Sequence, residues 1–264
     1  MYFDYFDMLS GEPLRVQGVG HIKSPYLRDI CPASGIGYRA YNLFLHFLSW
    51  DKEDLLKYDQ LMEYRGASKL NRECFSTFDI ATLLPQTREL CRGVLSFFIT
   101  ENITWDEAAR KFIVFVENDR EHHEEPASII GEIDRENFDD VRSMILQMNF
   151  IGLDKESEPI KHSSEKSKEL WEMAQKYLME QAKTNGDKED KPEYHLGNII
   201  SKICVAHPSY NLLNVFDLTV FQLYDSFFQL GYIRSSNLSE RIFSNHGGET
   251  FKFEDWLKPI LNNV

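Results

Sequence analysis

Apolar residues in this chain recur mostly at three- and four-residue steps, the spacing of one helix face, and alternate in a few short stretches, the spacing of a strand. Residues 10–25 hold Leu14, Val16, Val19 and Ile22 among turn glycines at 11, 18 and 20, which predicts two short strands in a hairpin. Ser24 and Pro25 then open a helical turn, serine as the cap and proline at the first helical position. From Ile36 to Leu48 the positions Tyr38, Tyr41, Leu45 and Leu48 predict a buried helix, widened by Phe44 and Phe47. Ser49-Trp-Asp51 breaks it, and a second helix follows over 52–64, with Gly66 as its stop.

Pro85 starts a helix to about residue 100, with Leu90, Val94, Phe97 and Phe98 on one face. Lys111–Val116 is β-branched and aromatic, and Ser128–Ile133 reads as its partner strand, which makes the charged segment between them a hairpin tip. Asp134 caps a helix in which Phe138, Val141, Ile145 and Met148 share a face. Residues 164–183 predict a strongly charged helix with a thin apolar stripe, and 184–193 form a polar linker. Beyond it, Asn198–Val205 predicts a short helix with Ile199, Ile200 and Ile203 inward. Thr219-Val-Phe-Gln222 is a capping box, and the helix it opens runs to Leu230, where Gly231 stops it. The sum is an α+β fold, predominantly α-helical, with a small N-terminal β-hairpin and a second short hairpin near the middle. Three regions follow: a mainly helical N-terminal domain with short strands (1–160), a charged helix and linker (161–194), and a C-terminal helical domain (195–264).

Composition narrows the partners. Hydrophobic residues make up 42%, enough for a packed core. The balance of 29 basic against 42 acidic residues leaves a net charge of -13, which repels polyanions. The densest basic run, at Lys166 and Lys168, is interleaved with Glu165 and Glu169, so neither nucleic acid nor an anionic membrane is an expected partner. No apolar run approaches the ~18 residues of a membrane span. The N-terminus lacks the basic region of a signal peptide. Cys31, Cys74, Cys91 and Cys204 show no CxxC spacing and read as free thiols in a reducing cytoplasm.

Candidate chemistry is sparse. Glu121-His-His-Glu-Glu125 suggests a metal site, but adjacent histidines share no face of a helix or a strand, and the H-E-x-x-H spacing is missing. Gly18-Val-Gly20 and Gly35-Ile-Gly37 are turn glycines outside any βαβ unit. Asp139-Asp140 and the acidic run Asp187–Asp190 match no calcium loop. Cys204 and His207 could share a helix face, but no third residue orients them. The expectation is therefore no enzyme, with no catalytic, cofactor or metal residues. One feature stays open: the aromatic row Phe216, Phe221, Tyr224, Phe227 and Phe228 suits either core packing or a surface for a partner. As a partner surface its candidate residues are Phe216, Phe221, Tyr224 and Phe228.

Leu9-Ser-Gly-Glu-Pro-Leu-Arg-Val-Gln-Gly-Val-Gly20, followed by Tyr26-Leu-Arg-Asp-Ile30, resembles a family encoded in the tail-gene region of phages and prophages of Gram-positive bacteria. So do Asn198-Ile-Ile-Ser-Lys-Ile-Cys204 and Asn214-Val-Phe-Asp-Leu-Thr-Val-Phe-Gln-Leu-Tyr-Asp225. The resemblance covers the two ends, and its motifs are apolar positions and turns. It implies a non-enzymatic role in the host cytoplasm, as a chaperone that covers the tape-measure protein during tail assembly. Its expected partners are tape-measure and other tail proteins, with a homo-oligomer possible. The alternative is a tail or baseplate adaptor that stays in the virion. An enzyme with an unrecognised site is a third class, which clustered invariant polar residues would favour.

Overall fold

Gly18 (φ 76°) and Gly20 (φ 131°) let the chain reverse between β1 (Leu14–Val16) and β2 (Gly20–Ile22), because a residue without a Cβ tolerates positive φ. The hairpin belongs to a computed structural model that describes residues 3–52, 75–117, 128–151 and 195–246. The fold is α+β and mostly helical, with the N-terminal hairpin and a sheet in the middle of the chain. The chain divides into two compact units. One takes Glu12–Ser24 and Arg39–Leu146; the other takes Phe3–Gly11, Pro25–Tyr38 and the described residues from Gln147 onward. The helix expected beyond residue 52, the hairpin tip, the charged helix 164–183 and the linker 184–193 lie essentially outside the described residues.

In the first unit the hairpin turns Val16 and Ile22 inward and Arg15 outward. Helix α3 (Tyr38–Ser49), numbered after α1 (Tyr5–Leu9) and α2 (Leu27–Ile30), buries Tyr41, Leu45 and Leu48 at four- and three-residue steps. Arg142 closes its C-terminal end: the guanidinium donates to the Leu48 carbonyl at 2.6 and 2.9 Å and to the Trp50 carbonyl, satisfying oxygens that the helix leaves open. Helix α4 (Thr77–Ala81) opens on a reciprocal cap in which the Asp79 amide donates to Ser76 Oγ (3.1 Å) and the Ser76 amide donates to Asp79 Oδ2 (2.8 Å). Helix α5 (Pro85–Phe98) starts on the expected proline.

The expected pair of strands, β4 (Lys111–Val116) and β5 (Ser128–Ile133), is antiparallel. A third strand, β3 (Asn102–Asp106), pairs with the other edge of β4 and was not expected. Its turn is set by Asp106, whose carboxylate accepts the amides of Ala108 and Ala109, and by Arg110 at φ 52°. Backbone bonds fasten the hairpin to the end of α5 and the residues after it, from Lys23 to Phe98 (2.8 Å) and Thr100 to His21 (3.1 Å), and to β5, from Glu132 to Gly18 (2.8 Å). Phe78, Trp105, Phe112 and Phe138 pack edge to face. Helix α6 (Phe138–Met148) follows a turn at 135–137; Asp134, expected to cap the helix, instead holds that turn, its Oδ1 accepting the amides of Glu136 and Asn137.

Two expectations are corrected in the second unit. Pro25 does not begin a helix. The segment through Tyr26 stays extended because the backbone around it is used elsewhere: the Leu27 amide donates to Leu218 O and the Val220 amide donates to Pro25 O, both at 2.9 Å. Tyr26 is then the residue that precedes α2, and the Tyr26 amide donates to Asp29. Gly231 does not stop a helix either. After α7 (Leu196–Ala206), helix α8 runs from Val220 to His246 straight through it. A mid-helix glycine costs only about 1 kcal/mol, and buried Tyr232 immediately after it anchors the continuation. The capping box is as expected, with the Gln222 amide donating to Thr219 Oγ1 (3.2 Å) and the Thr219 amide to Gln222 Oε1 (3.0 Å). In α7, Ile199 and Ile203 are buried and Ile200 is half-buried.

Candidate interaction surface

The aromatic row on α8 faces into the second unit. Phe221 is fully buried, and Tyr224 and Phe228 keep only 7% and 6% of their surface exposed. All three meet one ring, that of Phe150: Phe221 at 5.1 Å, Tyr224 stacked at 6.0 Å and Phe228 stacked at 5.2 Å. Phe216, in the 3-10 turn Val215–Asp217, is half-buried. The four residues expected to bind a partner therefore differ in access: three form an interior seam and Phe216 is half-buried in the turn before α8.

The N-terminal arm lies on this seam. Asp4 caps α1 by accepting the Phe6 amide (2.8 Å). Met8 is buried, and the Tyr5 ring meets Phe221 edge-on at 6.0 Å. Polar side chains hold the arm. Tyr5 donates its hydroxyl to Asp225, and Gln222 Nε2 donates to the Leu9 carbonyl (2.9 Å). Gln147 takes both backbone groups of Phe3, accepting its amide at 2.8 Å and donating to its carbonyl at 2.9 Å. Burial raises the Asp225 carboxyl above its usual range, only partly offset by the bond from Tyr5, and burial likewise raises the Tyr5 phenol. A carboxyl raised on folding contributes its stability below the unfolded value of 3.8 and loses it as pH climbs through the native value.

Apolar surface is also left outside. Ile233, Leu238 and Ile242 are exposed on the second half of α8, and Val205, Leu212 and Leu213 (94%) are exposed at the end of α7 and in the loop after it. Two asparagines fix that loop: the Asn211 amide donates to Asn214 Oδ1 and the Leu213 amide to Asn211 Oδ1, both at 2.8 Å.

The remaining sequence candidates find ordinary surroundings. His207 ends α7, accepts the Ser209 amide on Nδ1 (3.2 Å) and stacks on Tyr210 at 4.3 Å, so its ring serves the following loop. Burial holds the Cys204 thiol above the usual range, the opposite of an activated nucleophile. Asp139 pairs with Arg142 one turn along α6 (2.8 Å). Glu121–Glu125, Cys74 and the acidic run at 187–190 lie outside the described residues. Among the described residues no group of three His, Cys, Asp or Glu could hold a metal. Sequence reasoning missed one close pair, His21 Nδ1 with Glu101 Oε1 at 2.5 Å. Glu101 also accepts the His21 amide (3.0 Å), and a Cβ on Gly20 would lie 2.8 Å from its carboxylate, so the pair pins the hairpin to the start of β3. With 80 residues between the partners, no local signal marks it.

A family model described as the YomV second domain matches residues 186–261, which include α7 and α8. YomV is a Bacillus prophage gene, so this segment is similar to a phage-associated domain. No curated protein and no solved structure matches the chain. No described helix is long and apolar enough to cross a membrane.

Proposed function

We propose that this chain is a non-enzymatic phage tail morphogenesis protein, a chaperone that binds the tape-measure protein in the host cytoplasm. The observation that carries the reading is the match of residues 186–261 to a phage-associated domain. The resemblance of both chain ends to tail-region proteins supports it. So does the exposed apolar surface in the matched segment, at Leu213, Ile233, Leu238 and Ile242. A long amphipathic client presents apolar stripes that aggregate in water, and an apolar helix face of this kind can cover them. Binding must protect the client yet permit displacement by tail-tube subunits, which suits a limited patch of exposed leucine and isoleucine better than a large sealed interface. The test is mass spectrometry of purified phage particles. A chaperone leaves the finished tail, so the chain is expected to be absent. A fixed number of copies per particle would make it an adaptor instead.

A further inference from the structure

We infer that the N-terminal arm, Phe3–Gly11, is a displaceable strap seated in the groove that receives an amphipathic client helix. The client's identity rests on the function proposed above; the groove and its present occupant do not. Helix α1 is itself amphipathic: the Tyr5 ring meets Phe221 of α8 and Met8, three residues on, is buried, while Phe6 is 77% exposed and Asp7 faces water. The arm thus presents an aromatic residue and a flexible apolar one at i and i+3. The polar holds are largely indifferent to sequence. Gln147 pairs with the backbone of Phe3 and Gln222 with the backbone carbonyl of Leu9, and any segment of similar shape offers those groups. The side chain that is read is Tyr5, whose hydroxyl bonds to Asp225 and Gln229.

The arm is also built to let go. A five-residue helix does not hold itself together in water. Met8 is its one fully buried side chain, and the arm ends at Gly11, whose φ of 75° marks a turn. Local opening of such a segment costs far less than global unfolding. Beyond the arm, α8 continues to His246 with Leu238 and Ile242 exposed, so a client longer than α1 gains apolar contacts that the strap does not make.

The test uses the full chain and a fluorescein-labelled peptide of residues 1–11. A tethered arm competes at an effective concentration of about millimolar. The double variant Tyr5→Ala, Met8→Ala is therefore expected to bind the peptide at least tenfold more tightly than the parent. Equal affinity, or no binding by a folded variant, would overturn the inference. Should the variant lose its helical circular dichroism, the parent chain decides. Excess peptide is expected to move the Met8 methyl NMR signal to its solvent-exposed position, and an unmoved signal overturns the strap. Lost tape-measure binding with these results intact overturns only the client. Retained tape-measure binding without them moves the client site to the exposed half of α8.

Discussion

Phe150→Ala is expected to cost the protein about 3–5 kcal/mol, the range for truncating a fully buried phenylalanine. Its ring is fully buried and is the common neighbour of Phe221, Tyr224 and Phe228. Alanine would leave a cavity among three rings carried on one helix, and rings on a regular helix cannot collapse into it independently. The backbone offers no relief. Phe150 sits at φ 64°, a conformation that alanine tolerates no better, so the strain stays while the packing goes. Urea unfolding at neutral pH checks this through the midpoint and its slope. A loss below about 1 kcal/mol would mean that the seam is not the core of this unit.

Gly131→Ala is expected to cost about 2–3 kcal/mol, combining a lost hydrogen bond with overpacking. A Cβ on Gly131 would lie 2.5 Å from the Gly18 carbonyl oxygen and 2.7 Å from its carbon, closer than real contacts permit. Those atoms are backbone and cannot swing aside as a side chain would. Relief requires the hairpin turn to lift from β5, which strains the bond from the Glu132 amide to Gly18 O. The same unfolding experiment measures it, and the signature is local: amide exchange at Glu132 should quicken more than at Val114 in the strand beside it. Uniform exchange and unchanged stability would show that the hairpin is not held there.

Where a signal is local and the neighbours are close in sequence, the chain was readable. The capping box at Thr219–Gln222, the proline start of α5 and the β4–β5 pair all follow from patterns within a few residues. Strand β3 escaped because Asn102–Asp106 has only five residues, and its strand character comes from pairing with β4. The misread end of α8 has the same origin. Gly231 is a valid stop signal, but burial of Tyr232 overrides it. The sequence leaves the aromatic row open between core packing and a partner surface, because it does not say what covers the rings. The row's neighbours are Phe150 and Tyr5, the latter more than 200 residues away, and no window of sequence connects them. The phage kinship rested on resemblance in fold-bearing positions, and the domain match supports it for residues 186–261 alone.

The proposed function has this chain bind a tape-measure protein through apolar helical contacts. Co-expression with a tape-measure protein, followed by affinity capture of this chain and size-exclusion chromatography, is the decisive test. The two proteins are expected to elute together. Elution apart, with both soluble and folded, contradicts it.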